Sequence, residues 1–212
     1  MVVDFLCQFG GICRGFGEMP PRPYNYKIFL SGLNQAFLKE MEPEVDLETL
    51  ITYLHPGFPG KVAVVGMGNR LRGDDGAGPE LVRSLKEQWE QSDFCRRFPH
   101  ERLFIDAGET PEDWLVRIVD LKPAVVIVVD AVELGAAPGA VAVLSPDALP
   151  ENFCLSTHRM PLRSLLRLWE ENGIKALVLA IQPASLEHGR EISPPVREVI
   201  GHLTAILLGK GE

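Results

Sequence analysis

The sequence predicts a three-layer α/β/α fold in which helices cover both faces of a five-stranded mixed sheet. Three observations predict it. Short apolar runs alternate along the chain with segments of helical periodicity. The run AVVIVV (124–129) is continuously apolar, as expected of a central strand that is covered on both faces. The connection from Asp130 to Val141 is too short and too rich in Gly and Pro for a crossover helix, so the fourth strand should run antiparallel in a sheet of order 2-1-3-5-4.

The predicted elements alternate from residue 27 to the end of the chain. Helices are expected at 27–40 and 47–54, where apolar residues repeat at helical intervals. Strands are expected at 61–65, 103–106, 124–129, 141–144 and 176–181. Further helices should begin after Pro79, Pro111, Pro161 and Pro194 or Pro195, because proline suits the first turn of a helix. We divide the chain into a loose N-terminal extension (1–25), a helical extension (26–58) that either covers the core or meets a partner, and a main domain (59–212).

Composition excludes several classes of function. The 46% hydrophobic and 24% charged residues are ordinary for a soluble globular protein, and the formal net charge of -8 disfavours nucleic-acid binding, which needs clustered Lys and Arg. No apolar run approaches the ~20 residues of a membrane span. The four cysteines have no zinc-type spacing, so we expect reduced thiols in a cytoplasmic protein.

The Gly-rich loop after the first strand is the first place to look for a ligand, because open α/β sheets bind ligands beyond the carboxyl ends of their strands. Gly66 and Gly68 begin a dinucleotide-binding fingerprint, but Leu71 stands where the third glycine should be. Asp74 and Asp75 also carry the wrong charge for a pyrophosphate. The simplest alternative is structural: the two acids cap the following helix and form a turn.

The predicted strand order brings three polar residues together. Asp75 follows the first strand, Asp130 ends the third, and these two strands flank the crevice of a sheet with order 2-1-3. His158 lies in the loop before the helix expected after Pro161, and Asp106 ends the second strand, one strand further out. Two carboxylates ~4 to 6 Å apart repel by about 3 to 4 kcal/mol at an effective dielectric constant near 20. A shared proton, an arginine such as Arg72 or a divalent cation must offset this repulsion.

Two carboxylates and one imidazole with open coordination positions suit a first-row metal such as zinc, iron, manganese or nickel, and composition does not select among them. Each residue also has a structural explanation. A lone histidine before a helix often caps that helix, and an aspartate at a strand end often binds nearby backbone amides. The convergence of Asp75, Asp130 and His158 at one crevice is what favours a metal site.

Five segments of the chain resemble a known family. They are GMGNRLRGDDGAGP (66–79), FIDAGETPED (104–113), VVDAVELGAAPGAVAVLSPD (128–147), STHRMPL (156–162) and AIQP (180–183). In this order and combination they resemble the nickel-iron hydrogenase maturation endopeptidases, and most nearly the type that serves hydrogenase 3 of the formate hydrogenlyase system. The resemblance covers about residues 60–205, the bulk of the main domain, and leaves both extensions outside it.

The resemblance implies a nickel-dependent endopeptidase that removes a short C-terminal extension from the precursor of the hydrogenase large subunit after nickel insertion. It implies that the substrate carries the nickel and that Asp75, Asp130 and His158 contact it, the same three residues that the topology brings together. Another divalent metal such as zinc or cadmium is able to occupy such a site. We expect the metal to polarise the scissile carbonyl or to activate a water, with Asp75 or Asp130 accepting a proton and Asp106 orienting them.

Other functions have weaker support in the sequence. The chain has no HExxH helix and no GxSxG elbow, and Cys154 has apolar neighbours that do not favour a reactive thiolate. A non-catalytic module that senses metal-loaded partners during hydrogenase assembly is the alternative that the motifs leave open. We expect a monomer whose partner is the large-subunit precursor, with no nucleic-acid or membrane partner.

Overall fold

The computed structural model describes residues 47–55, 57–93, 95, 101–149 and 161–208. Its five strands are β1 (Val62–Met67), β2 (Arg102–Gly108), β3 (Val125–Ala131), β4 (Val141–Leu144) and β5 (Lys175–Ile181). They form one sheet of order β2-β1-β3-β5-β4. The pairs β1–β2, β1–β3 and β3–β5 are parallel, whereas β4 is antiparallel to β5. The predicted strand order and the antiparallel fourth strand are confirmed.

Five helices lie in the described part of the chain. They are α1 (Leu47–Leu54), α2 (Ala77–Glu90), α3 (Leu115–Leu121), α4 (Leu162–Glu171) and α5 (Pro194–Leu207). Short 3-10 turns cover Gly73–Gly76, Pro111–Trp114 and Pro146–Ala148. The helix expected after Pro111 therefore begins with a 3-10 turn, and regular α-helix begins only at Leu115. The helix predicted at 27–40 and the loose extension at 1–25 lie outside the described residues. None of the described helices is long and apolar enough to cross a membrane.

Side chains alternate between the two faces of the sheet and build one apolar cluster on each. On the first face, Val62 and Val64 pack with α1, α2 and α5, whose buried residues include Leu50, Leu81 and Leu203. On the second face, Ala63 and Val65 pack with α3 and α4, whose buried residues include Ile118, Leu166 and Trp169. Each fully buried leucine contributes about 1.5 to 3 kcal/mol. The two clusters are the physical basis of the three-layer fold.

Arg102 ties α1 to the sheet. Its guanidinium, buried at the start of β2, donates to the carbonyl oxygens of Leu54, His55, Gly60 and Glu101. Burial lowers the pKa of this guanidinium from its usual range, because the cation is removed from water. Helix α1 therefore covers one side of the core, which is one of the two roles expected of the helical extension. The boundaries at residues 25 and 58 stay predictions.

Candidate functional site

Glycines bring the loop after β1 close to the end of β3. A Cβ atom on Gly78 would lie 2.3 Å from the carbonyl oxygen of Val129 and 2.4 Å from that of Met67. Gly68 has a φ of +122°, and a Cβ atom there would lie 1.8 Å from the carbonyl oxygen of Asp75. A side chain at either position would push the start of α2 away from the sheet. The glycines therefore set the position of Asp75.

Asp75 lies in the 3-10 turn that follows β1, and Asp130 lies near the end of β3. The two are close enough for the charge of Asp75 to raise the pKa of Asp130, and we call them the buried carboxylate pair. They are 3% and 2% exposed. Asp75 Oδ2 accepts a hydrogen bond from the Asn69 amide at 3.0 Å, and Asp130 Oδ1 accepts one from the Ala131 amide at 2.8 Å. These are the two carboxylates that the strand order predicted to face one another.

The pKa of Asp130 lies well above its usual value. Burial is the largest cause, the negative charge of Asp75 is the second, and the hydrogen bond from the Ala131 amide opposes both. A raised pKa means that an ionised Asp130 is costly in the folded protein. A proton or a cation shared with Asp75 would remove that cost, so the pair has the electrostatics of a cation site or of a proton-transfer group.

Asp74, next to Asp75 in the chain, is buried in a different way. Its Oδ2 atom accepts hydrogen bonds from the Ala184 amide at 2.7 Å, the Ser185 amide at 3.2 Å and the Ser193 hydroxyl at 2.9 Å. Its Oδ1 atom accepts a fourth from the Ser193 amide at 2.6 Å. We call these four bonds the Asp74 latch. The capping alternative is wrong for both acids, because α2 has no side-chain cap and each carboxylate binds groups outside that helix.

The arginines and Asp106 lie at the rim of the site. Arg70 donates to the Pro79 carbonyl oxygen at 2.9 Å and forms ion pairs with Asp106 at 3.0 Å and with Glu80 at 3.3 Å. The Asp106 side chain is 46% exposed. Its role in orienting the buried pair stays a prediction, since Arg70 and the Gly108 amide are the partners that the structure gives it.

Arg72 has a different partner from the one expected. Its Nε atom donates to the carbonyl oxygen of Leu186 at 3.4 Å. The causes of the Asp130 pKa shift are burial, Asp75 and the Ala131 amide, and they include no arginine. Within the described residues, no arginine therefore offsets the repulsion between Asp75 and Asp130, which favours a proton or a cation in that role.

His158 lies outside the described residues, in the stretch 150–160 before α4. Its position beside Asp75 and Asp130 therefore stays a prediction, as does the assignment of these three residues as catalytic and metal-binding. Among the described residues no group of three or more His, Cys, Asp or Glu side chains is arranged to hold a metal.

Gln182, which follows β5, holds the chain just after Asp130. Its Oε1 atom accepts from the amides of Leu134 at 2.7 Å and Ala136 at 3.2 Å, and its Nε2 atom donates to Glu133 Oε1 at 3.0 Å. The side chain is 3% exposed, so these bonds form away from water. Sequence reasoning assigned it no role, although a polar residue that directly follows a buried apolar strand was an available signal.

Comparisons with known proteins agree in family and fold. The hydrogenase maturation protease model (HycI) matches residues 79–210. The chain is 32% identical over 135 residues to the hydrogenase 3 maturation protease of Escherichia coli K12, an alignment that covers 63% of this chain and 80% of that protein. It is 31% identical over 159 residues to the hydrogenase expression/formation protein HupM of Azotobacter chroococcum, which covers 72% of each chain.

Solved structures show the same architecture. A nickel-iron hydrogenase maturation protease from Thermococcus kodakarensis superimposes with a TM-score of 0.59 at 28% identity, over 70% of this chain and 92% of that one. A crystal structure of a hydrogenase 3 maturation protease gives a TM-score of 0.58 at 30% identity, over 72% of this chain and 92% of that one.

Proposed function

The chain belongs to the hydrogenase maturation protease family, and we propose that it is the endopeptidase that removes the C-terminal extension of a nickel-iron hydrogenase large-subunit precursor. The family match confirms the resemblance carried by the five sequence motifs. The observation that supports the proposal within the structure is the buried pair Asp75 and Asp130. It lies beyond strand ends, where open α/β sheets bind ligands, and the pKa of Asp130 is raised by burial and by Asp75. The motif resemblance and the hydrogenase 3 relative support a substrate of the hydrogenase 3 type.

In our proposal the precursor presents nickel as part of the substrate, and Asp75, Asp130 and His158 contact it. The electrostatics of the two carboxylates fit such a cation. Burial and Asp75 raise the pKa of Asp130, and a divalent ion held by these residues would offset both effects. The same donor set would accept zinc or cadmium, because oxygen and imidazole ligands do not distinguish strongly among these ions.

Peptide hydrolysis requires that a water lose a proton as it attacks the scissile carbonyl carbon and that the leaving amine gain one. In our proposal Asp130 takes up and returns that proton, since burial and the charge of Asp75 raise its pKa and make it a better proton acceptor than an ordinary carboxylate. Asp75, which accepts a hydrogen bond from the Asn69 amide, supplies a negative charge near Asp130. A metal ion at this place would polarise the carbonyl.

The same electrostatic argument supports the nickel dependence that we propose. A precursor without nickel would bring its peptide to two buried carboxylates with no cation to offset their charge. Only the loaded precursor would bind productively, so cleavage would follow metal insertion. We also propose that the enzyme acts in the cytoplasm, as its cysteine usage suggested, and that it is a monomer.

The test is to incubate the purified full-length protein with nickel-loaded and nickel-free precursor and to measure the mass of the large subunit. We expect loss of the C-terminal extension from the loaded precursor alone. Association of the two proteins with no loss of mass would overturn the peptidase and indicate a metal-sensing binding module. Equal cleavage of both precursors would overturn the nickel requirement.

A further inference from the structure

The loop that surrounds Asp75 exposes an apolar side chain. Leu71 is 64% exposed, and within the described part of the chain only Val116, at 65%, is a comparably exposed large hydrophobic residue. A single exposed leucine is common on protein surfaces, so exposure alone does not mark a site. The contacts of the residues around Leu71 indicate that this exposed side chain is part of a binding surface.

The backbone of Leu71 is held firmly. Its amide donates to Asn69 Oδ1 at 2.7 Å, and its carbonyl oxygen accepts from the Gly189 amide at 2.7 Å. The next residue, Arg72, donates its amide to the Asn69 carbonyl oxygen at 3.0 Å. Both backbone polar groups of Leu71 are therefore satisfied. A partner that covers this side chain would lose little binding free energy to ordering the loop.

In a surface loop the charged side chains usually extend into solvent and the apolar ones pack against the protein. The residues around Leu71 have the opposite arrangement. Arg70 is bonded to Pro79, Glu80 and Asp106, and Arg72 is bonded to Leu186. The two charged side chains are thus engaged with the protein, whereas the apolar one between them points to solvent. Burying an apolar side chain in a partner is favourable in proportion to its area, so this loop offers a partner an apolar contact rather than a charged one.

Leu71 lies between two residues that bind Asp75 directly. The Asn69 amide donates to Asp75 Oδ2 at 3.0 Å, and the Asp75 amide donates to the Arg72 carbonyl oxygen at 3.2 Å. The loop 69–72 is therefore a wall of the site that contains the carboxylate pair. A polypeptide bound at Asp75 would therefore lie close to this loop.

We propose that Leu71 is a specificity-determining residue that contacts an apolar side chain of the precursor close to the bond that is cut. The inference rests on the proposed function, because it takes the precursor as the polypeptide that reaches Asp75. It adds one recognition contact to the proposed function, between two apolar side chains, beside the buried carboxylate pair.

The test compares Leu71→Ser, Leu71→Met and Val116→Ser with the wild-type protein. Val116 is a matched control, since it is equally exposed but belongs to α3, on the opposite face of the sheet from α2. Cleavage kinetics on the nickel-loaded precursor and the dissociation constant of the same precursor are both measured. We expect Leu71→Ser to raise KM and the dissociation constant about tenfold with kcat nearly unchanged, as for lost uniform binding. Leu71→Met and Val116→Ser should stay within about twofold of wild type, because methionine restores an apolar contact.

Equal affinity of Leu71→Ser and wild type would overturn the inference, and so would an equal loss in Val116→Ser. An uncut precursor with the wild-type protein would instead overturn the proposed function. The dissociation constants would then still decide whether Leu71 contacts the precursor, so the two failures are distinguishable.

Discussion

Asp74 and Asp75 are neighbours in the chain and both are buried, but they have opposite kinds of partner. Asp74 accepts four hydrogen bonds from the segment 184–193. Among the described residues the Asp75 carboxylate accepts one hydrogen bond, from the Asn69 amide, and its charge helps to raise the pKa of Asp130. A buried carboxylate with four hydrogen bonds stabilises the fold. A buried carboxylate pair with no cation among the described residues costs stability, and such local exceptions are expected at functional sites.

The largest expected effect tests whether Asp74 is structural. Asp74→Ala leaves four donors without their acceptor, so we expect the free energy of unfolding to fall by about 3 to 5 kcal/mol. Urea denaturation measures it. Asp74→Asn keeps one acceptor oxygen in place and should lose clearly less. A loss below about 1 kcal/mol for Asp74→Ala would mean that water replaces the protein donors and that the latch is not structural.

The affinity for Ni²⁺ should depend on Asp130 but not on Asp74. We expect Asp130→Asn to weaken Ni²⁺ binding to the full-length protein at least about tenfold, because a charged oxygen donor becomes neutral. Asp74→Asn, which lies outside the pair, should change it little. Isothermal titration calorimetry measures both. Unchanged binding in Asp130→Asn would remove this residue from the proposed metal contacts.

A substitution in the carboxylate pair should stabilise the protein, whereas Asp74→Ala should destabilise it. The folded-state pKa of Asp130 is raised above its unfolded value near 4, so the folded protein holds the proton longer than the unfolded chain. Stability from this group is thus complete below about pH 4 and is lost as pH rises toward the folded-state pKa. Asp130→Asn should therefore stabilise the protein by about 0.5 to 2 kcal/mol at pH 7, the usual gain from relieving such a site.

Thermal unfolding of wild type and Asp130→Asn across pH 4 to 8 measures this. The difference in melting temperature should be largest near neutrality and should shrink toward pH 4. A variant that is less stable than wild type at pH 7 would show that the ionised Asp130 has stabilising partners.

The smallest effect is expected at Asp106, the acid at the rim. Its side chain is half exposed and paired with Arg70, and exposed ion pairs contribute about 0.2 to 1 kcal/mol. Asp106→Asn should change the unfolding free energy by less than about 1 kcal/mol and the cleavage rate by less than about threefold. If Asp106→Asn slowed cleavage as much as Asp75→Asn or Asp130→Asn does, Asp106 would have the orienting role that the sequence predicts.

Much of the fold follows from local patterns. Apolar runs located the strands, and the short connection from β3 to β4 was enough to predict the antiparallel strand, because such a connection has no room for a helix. The proximity of Asp75 and Asp130 followed from strand order alone.

The partners of the polar side chains did not follow from the sequence. Asp74 and Ala184 are 110 residues apart in the chain, and no periodicity encodes a hydrogen bond between two loops. The same holds for Gln182 and its partners after β3. The exposure of Leu71 depends on where Arg70 and Arg72 find their bonds, which also requires the folded structure.

The most direct test of the account is the mass of the nickel-loaded precursor after incubation with wild-type protein, Asp75→Asn, Asp130→Asn and Asp106→Asn. We predict that the wild-type protein and Asp106→Asn release the C-terminal extension, whereas each variant of the buried pair slows its release at least about 100-fold, the usual range for a lost proton-transfer group. Release at the wild-type rate by Asp75→Asn or Asp130→Asn would contradict the claim that this pair is the catalytic site.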